Sequence, residues 1–186
     1  MDSYEIYRQA NTLVRRYGTR DPEQIIKELG IVILCDDNFK DLLGMYTYRW
    51  KHRIIIYSSK IESYLKKMVL AHELGHDRRH RDIAKAGQPL KEFSLFRMTD
   101  ITEYEANAFA SHILLDNDEV YSLAREGYDC PSIAQMMGSD INLMLIKLQE
   151  MNKLGYNLRV SMDADPRFFR KIKGSNLSEY TPRRAE

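Results

Sequence analysis

The run Ala71-His72-Glu73-Leu74-Gly75-His76 constrains this chain most, because it places two histidines four residues apart with a glutamate directly after the first. In an α-helix, residues four apart lie about 40° apart around the axis and about 6 Å along it, so both imidazoles can bind one metal ion. Glu73 lies about 100° around the axis from His72. From there its carboxylate can accept a proton from a water on the ion without binding the metal itself.

The residues just before this run fit the helix that the motif requires. Apolar side chains at helical spacing predict a helix with a buried face. Between Lys60 and Leu70 the chain has Ile61, Tyr64, Leu65, Met68 and Val69 at this spacing. The motif is therefore predicted to lie in the second half of a long helix.

A catalytic zinc ion needs a third protein ligand, and the remaining histidines are poor candidates. His80 would lie about 12 Å along the axis from His72, too far to share one ion, and is expected at the surface or as an outer hydrogen-bond partner. His52 falls in a polar stretch that predicts a turn between two strands. Asp82 stands ten residues after His72, where metzincins have their third histidine, so that class is excluded.

An acidic third ligand is offered by the segment 100–115, where small and apolar residues follow a helical rhythm. Glu103 and Asn107 are four residues apart and share a face, so one can bind the metal while the other bonds a ligating imidazole. Glu105 points about 200° away from Glu103, so only one of the two glutamates can face the ion. We predict that Glu103 is the ligand and Asn107 the hydrogen-bond partner, with Glu105 as the alternative ligand. His112, about 180° around the axis from Glu103, is expected to be a packed or surface histidine.

These two motifs, AHELGH followed by EYEANAFASHILL, resemble the ImmA/IrrE family of zinc metallopeptidases over about residues 20–155. The resemblance implies a gluzincin-like cytoplasmic protein with Zn²⁺ on His72, His76 and Glu103 and with Glu73 as general base. It also implies a protein substrate, since members of the family cleave a helix-turn-helix repressor and so release genes of a phage or mobile element. The usual leucine and Met-Pro ending is replaced here by 114–117, Leu-Leu-Asp-Asn, a departure that affects the helix end and no ligand.

The expected reaction is metal-assisted hydrolysis of a peptide bond. The developing oxyanion needs a donor besides the metal, and no single tyrosine stands out among Tyr46, Tyr48, Tyr57, Tyr64 and Tyr104. The stretch 53–57 predicts a β-branched strand. At a sheet edge such a strand can bind an extended polypeptide, whereas an internal strand cannot, and the sequence leaves both alternatives open.

Composition agrees with a small enzyme of the cell interior. The formal charge of the 186-residue chain is +1, so no net field draws it to nucleic acid or to acidic membranes. Its two cysteines lie far apart in sequence, as expected of reduced thiols in the cytoplasm. No signal peptide and no apolar run of about 18 residues is recognisable, so we expect a cytoplasmic protein without a membrane partner.

The predicted fold class is α+β, with a small, mainly antiparallel sheet packed on a zincin-type helical core and followed by a helical C-terminal part. We predict one metallopeptidase domain over 1–160, a loop over 81–99 that borders the cleft, and a flexible basic tail over 161–186. The other predicted elements are helices at 4–17 and 21–29 and strands at 31–34, 43–49 and 53–58.

A competing function is suggested by 128–155, where residues 132–148 have the pattern of a helix, a Gly-centred turn and a second helix. Such a helix-turn-helix could bind DNA. The second helix, however, offers Asn142 and Lys147 but no arginine, and apolar residues nearly surround its axis, which favours packing or repressor docking over nucleic-acid binding. Two alternatives to an enzyme stay open: a non-catalytic protein that sequesters a repressor, and a DNA-binding regulator.

Overall fold

The structure is a computed structural model that describes residues 2–96 and 100–159. The chain divides into two compact units, Met1–Leu114 and Leu115–Glu186. The first unit contains the HExxH motif and the second motif as far as Leu114.

The first unit alternates helices and short strands. Asp2 and Asp21 cap the first two helices by accepting backbone N–H groups of the first turn. The predicted α+β class is confirmed, whereas the loop predicted over 81–99 is wrong in part, because that stretch contains a short helix and a three-residue strand. In chain order the elements are α1 (Ser3–Tyr17), α2 (Pro22–Glu28), β1 (Val32–Asp36), β2 (Gly44–Arg49), β3 (His52–Ser58), α3 (Ser63–Arg79), α4 (Arg81–Lys85), β4 (Leu90–Glu92) and α5 (Ile101–Leu114).

The four strands form one mixed sheet in the order β1-β3-β2-β4. β3 pairs with β1 in parallel and with β2 antiparallel, and β2 pairs antiparallel with β4. The stretch 53–57 is therefore internal, and the alternative in which it forms an edge is wrong. Trp50 and Lys51 connect β2 to β3 with φ of 50° and 65°. Two positive φ angles are what a two-residue hairpin turn of type I′ requires. His52 follows as the first residue of β3, opposite Arg49.

Helix α3 is the centre of this unit. It contacts β2 and β3 as well as α2 and α5. Ten consecutive residues, Met68–Asp77, are buried, as expected of a helix that is covered on all sides. The HExxH motif lies inside this run, so its polar side chains need partners within the protein.

Gly75 lets α3 and α5 approach closely. A Cβ atom at this position would lie 2.9 Å from both the Cα and the carbonyl oxygen of Ala106. Any larger residue would push the two backbones apart. The contact therefore fixes the separation between the HExxH motif and the first turn of α5.

Asp77 ties the end of α3 to the sheet. Its buried carboxylate accepts hydrogen bonds from the Tyr46 hydroxyl at 2.9 Å and from the Arg81 guanidinium at 2.9 Å, and Arg53 lies at 3.3 Å. Burial and the charge of Asp77 raise the pKa of Tyr46, so this phenol stays neutral. The Tyr46 proton is donated to Asp77, so this hydroxyl is engaged in a structural hydrogen bond.

The second unit contains α6 (Asn117–Arg125), α7 (Cys130–Met136) and α8 (Ile141–Lys153). An aspartate caps each helix by accepting a backbone N–H of its first turn. Gly138, with φ of 59°, lies in the turn between α7 and α8. Residues Leu143, Met144, Leu145, Ile146, Lys147 and Leu148 are all buried. A DNA-reading helix must expose such a stretch to the groove, so this burial speaks against a recognition helix.

The predicted division of the chain is only partly covered by the structure. The basic tail predicted at 161–186 lies outside the described residues. The single domain predicted over 1–160 stays a prediction, because a division into compact units does not show which parts fold independently. In the described parts, every helix is either too short or too polar to cross a bilayer.

Candidate metal centre

Two imidazoles on α3 lie next to each other. His72 and His76 are almost fully buried, and their Nε2 atoms lie 3.0 Å apart. One helical turn separates the two residues, so both rings project from the same side of α3. This is the arrangement expected from the HExxH spacing.

Glu103, in the first turn of α5, completes the cluster. Its carboxylate oxygens lie 3.3 Å from Nε2 of His72 and 3.5 Å from Nε2 of His76. Asp100 holds this turn by accepting the backbone N–H groups of Thr102 and Glu103. One ligand atom from each of the three residues lies within 4.8 Å of the other two.

The donor set and its spacing fit a zinc ion. Zinc binds imidazole nitrogen at about 2.0–2.1 Å and carboxylate oxygen at about 2.0–2.2 Å, so tetrahedral ligand atoms are about 3.3 Å apart. The three observed separations of 3.0, 3.3 and 3.5 Å bracket this value. Two histidines and one glutamate therefore could hold the ion and leave a fourth position for another ligand.

Asn107 orients His72. Its Oδ1 atom lies 2.9 Å from Nδ1 of His72, one turn of α5 beyond Glu103. When Nε2 faces a metal, Nδ1 carries the proton and donates it to this oxygen. Glu103 and Asn107 thus approach the same imidazole from one helix.

His76 is oriented by a different chain of side chains. Its Nδ1 atom lies 3.1 Å from Nδ1 of His80, and Nε2 of His80 lies 3.3 Å from Glu105, which also accepts a hydrogen bond from Arg79. Glu105, the alternative ligand considered from the sequence, is therefore engaged with Arg79 and His80. His80 is buried and acts as an outer partner of His76, one of the two locations expected for it.

Glu73 is a buried carboxylate beside the cluster. Within the described part of the chain, neither of its oxygens meets hydrogen-bond geometry with a protein partner. Burial raises its pKa to about 8, and Glu92 and Glu103 reinforce this shift. His72 and the nearby backbone N–H of Tyr46 oppose it. A Cβ atom on Gly44 of β2 would lie 2.6 Å from Oε1 of Glu73. The missing side chain at position 44 therefore leaves the space that the carboxylate occupies.

Glu92 is a site residue that the sequence analysis missed. It is the last residue of β4, it is 5% exposed, and its Oε2 atom lies 3.0 Å from Nε2 of His72. Its Oε1 atom accepts the backbone N–H of Ser94. A three-residue strand has too little alternation to be recognised in a sequence, so no local pattern could have indicated this carboxylate.

The centre is rich in carboxyl groups. Burial lowers the pKa of His72, but the carboxylates of Glu103 and Glu92 outweigh it and raise that pKa to about 10. Three carboxylates, those of Glu73, Glu92 and Glu103, surround two imidazoles. A divalent cation would favour the ionised form of these carboxyl groups and the neutral form of the imidazoles, which agrees with the donor set.

Two of the remaining candidates, one histidine and one tyrosine, have ring contacts of their own. His112 is buried and packs edge-to-face against Tyr7, at 5.3 Å between ring centroids. Lys66 lies 4.8 Å from the ring centroid of Tyr57.

The chain is similar in sequence to "Uncharacterized immunity region protein 2" of Bacillus phage phi105. That protein is 29% identical to this chain over 136 residues, which cover 73% of this chain and 84% of the relative.

A family model also matches the chain. The model, Peptidase_M78, is described as the IrrE N-terminal-like domain and matches residues 26–155, well over half of the sequence. This range contains the HExxH helix, the strand with Glu92 and the helix with Glu103. The chain therefore belongs to the ImmA/IrrE family of metallopeptidases, as its two motifs predict.

Proposed function

We propose that this protein is a zinc-dependent endopeptidase that cleaves a helix-turn-helix repressor and so relieves repression of a phage or mobile element. The observation that supports this most is the buried carboxylate of Glu73, which lies beside a cluster of two histidines and a glutamate. The Tyr46 backbone N–H is close enough to lower the pKa of Glu73, but no donor in the described chain meets hydrogen-bond geometry with either oxygen. An unpaired buried acid is costly in a purely structural site. It is expected where a water or substrate completes the hydrogen bonding.

His72, His76 and Glu103 would hold the zinc ion. The bound ion would lower the pKa of a coordinated water toward about 7 and polarise the scissile carbonyl. Glu73 would accept the proton of the attacking water at its carboxylate and transfer it to the leaving amine. Asn107 and His80 would keep the two imidazoles in the tautomer that leaves Nε2 free for the metal.

The substrate would bind beside β4. Because β3 is internal, it cannot receive an added strand, but β4 is an edge of the sheet and carries Glu92 into the centre. An extended polypeptide can pair with such an edge through its main chain. Phe93, which follows β4, is 57% exposed and offers an apolar contact to a substrate side chain.

A repressor is the proposed substrate for two reasons. The resemblance in the two motifs implies this activity, and the phage relative is named for an immunity region. A cytoplasmic location follows from such a target.

The test is to incubate the zinc-loaded protein with the repressor encoded beside its gene and to analyse the products by mass spectrometry. We expect cleavage by the wild type and none by Glu73→Gln, with equal zinc content. Repressor inactivation without cleavage, retained in Glu73→Gln, would instead support the sequestering protein.

Metal analysis of two further variants tests the ligand assignment. We expect Glu103→Ala to lose zinc and Glu105→Ala to retain most of it, because Glu105 bonds Arg79 and His80. The opposite result would make Glu105 the ligand. DNA binding is less well supported, since the helix that would read bases is buried, and a gel-shift assay with the operator would detect it.

A further inference from the structure

The β2–β3 hairpin ends in four exposed residues, Arg49, Trp50, Lys51 and His52, which we call the hairpin tip. Trp50 is the only tryptophan of the chain, and it is 85% exposed. A side chain of this size usually buries most of its surface in the fold. Packing within the described chain therefore does not explain why an indole stands at this position.

The backbone of the hairpin tip also disfavours the residue types found there. Trp50 and Lys51 have φ of 50° and 65°, in the left-handed region where a side chain with a Cβ atom is strained. Asn-Gly and Asp-Gly are the pairs that a turn of type I′ prefers. Trp-Lys makes the turn less stable than those pairs would, and backbone strain that the fold does not need points to a function.

The hairpin tip combines an aromatic ring with positive charge. Arg49 and Lys51 flank Trp50, and the tip contains no acidic residue. The guanidinium of the next cation, Arg53, lies 3.3 Å from the buried carboxylate of Asp77, so it belongs to the interior and not to the tip.

This combination fits a protein partner better than a nucleic acid. Tryptophan and arginine are the residue types that most often dominate the binding energy of protein–protein interfaces. Affinity for DNA comes largely from neutralising many phosphates at once. The hairpin tip offers two permanent cations, and the whole chain has a formal charge of only +1.

We propose that the hairpin tip is a docking site for the protein substrate, in which Trp50 enters an apolar recess and the flanking cations meet acidic side chains on its rim. The inference rests on the proposed function, because that function supplies the partner, a folded repressor. Trp and Arg anchors of this kind act at the centre of an interface, surrounded by contacts that exclude water.

The hairpin tip lies at a distance from the metal centre. Arg49 is five residues along β2 from Gly44, which borders Glu73, so about 17 Å separates them at roughly 3.3 Å per residue. A domain of about 100 residues has a radius of gyration of about 13 Å and can contact both places. A six-residue peptide centred on the scissile bond extends only about 10 Å to either side. The hairpin tip therefore adds affinity for the whole repressor and takes no part in the chemistry.

The first experiment measures binding in the Glu73→Gln background, so that no cleavage interferes. The dissociation constant of the repressor encoded beside the gene is determined by isothermal titration calorimetry. We expect it to rise at least tenfold with Trp50→Ala and about fivefold with Lys51→Glu. Tyr4→Ala and Arg15→Glu are the matched controls, because they change an exposed ring and an exposed cation on α1, and they should leave it unchanged. Equal affinity in all four variants would overturn the inference.

Trp50→Asn separates docking from folding. Asparagine adopts a positive φ more readily than tryptophan, so the midpoint of thermal denaturation should stay the same or rise while the affinity for the repressor falls at least tenfold. A lower midpoint with unchanged affinity would make Trp50 a structural residue and overturn the inference.

The class of partner is tested by fluorine NMR. Because the chain has a single tryptophan, labelling with 5-fluorotryptophan gives one ¹⁹F resonance that reports on Trp50. We expect this resonance to shift and broaden with unlabelled repressor and to stay in place with operator duplex DNA alone or with phosphatidylserine vesicles. A shift with DNA or vesicles and none with the repressor would overturn the inference in favour of a nucleic-acid or membrane contact.

Cleavage assays distinguish a failure of this inference from a failure of the proposed function. Trp50→Ala should raise KM for the repressor about tenfold and leave kcat/KM for a six-residue peptide around the cleaved bond unchanged. An equal loss on both substrates would contradict docking at the hairpin tip and leave the endopeptidase intact. Wild-type protein that binds the repressor through Trp50 but cuts neither substrate would support the docking site and end the proposed endopeptidase.

Discussion

The polar side chains of α3 find their hydrogen-bond partners in different ways in the two halves of the helix. In the first half, Tyr64 is 53% exposed and Lys66 forms an ion pair with Glu23 of α2 at 2.8 Å, where water can satisfy the remaining groups. In the second half, all residues of Met68–Asp77 are buried. His72, His76 and Asp77 each have a specific protein partner there, and Glu73 is the exception. The comparison teaches that in a buried helix the one unpaired polar side chain indicates where a ligand belongs.

The largest loss of stability is expected when a buried carboxylate with several hydrogen-bond partners is removed. Asp77→Ala leaves Arg53 and Arg81 without their carboxylate and Tyr46 without its acceptor. We expect the free energy of unfolding to fall by about 3–5 kcal/mol in urea denaturation. Asp82→Ala is the matched control, because the Asp82 side chain is 97% exposed and its loss should cost less than about 0.5 kcal/mol. Equal effects would contradict the contrast between buried and exposed groups.

A smaller effect is expected at the partners of the two imidazoles. Asn107→Leu and His80→Leu each remove the acceptor for a histidine Nδ1 proton, and zinc affinity should fall about 10–100-fold in a chelator competition. Asn107→Asp should restore binding, because a carboxylate accepts the same hydrogen bond. If Asn107→Leu bound zinc as tightly as the wild type, the hydrogen bond to His72 would not orient the ring.

Gly44→Ala tests the space around Glu73. The added Cβ atom would lie 2.6 Å from Oε1 of Glu73 and from Cγ1 of Val69, and overpacking of this kind costs about 1–3 kcal/mol in unfolding free energy. Zinc content should be retained, because no metal-binding side chain is changed. The cost should shrink in the Glu73→Ala background, since the two substitutions share one contact. Full additivity would show that Glu73 does not need the glycine.

The smallest effect is expected in the exposed half of α3. Lys27 and then Lys66 lower the pKa of Glu23 through hydrogen bonds, so the pair stabilises the fold above the ordinary pKa of a glutamate and ceases to do so as the pH falls through the lowered value. We expect Glu23→Gln to cost less than about 1 kcal/mol at pH 7. The difference from the wild type should vanish in strong acid. A constant difference at all pH values would exclude the ion pair as its cause.

Much of the metal centre could be predicted because its side chains are spaced one helical turn apart in the sequence. His72 with His76, and Glu103 with Asn107, are each one turn apart, so residue type and helix geometry were enough to bring each pair to one face. Helix geometry also predicted that Glu105 points away from Glu103. Whether zinc binds there stays a prediction.

The rest depends on tertiary pairing that no local pattern contains. Gly44 and Glu92 reach the centre because β2 and β4 pair at that register, and a strand of three residues gives no periodic signal. For the same reason the strand 53–58 could not be assigned to the interior or the edge of the sheet from its own β-branched residues. His80 had two possible locations by helix geometry, and only the fold selected the one beside His76.

The contact between Gly75 and Ala106 has a consequence for how the protein would take up and lose its ion. Main-chain atoms in direct contact set the gap between the two ligand-bearing helices, and main-chain spacing does not change when side chains rotate. The cage is thus preorganised, and little conformational entropy is lost when an ion enters it. A chelator should therefore strip the metal and leave a folded apoprotein ready to be reloaded.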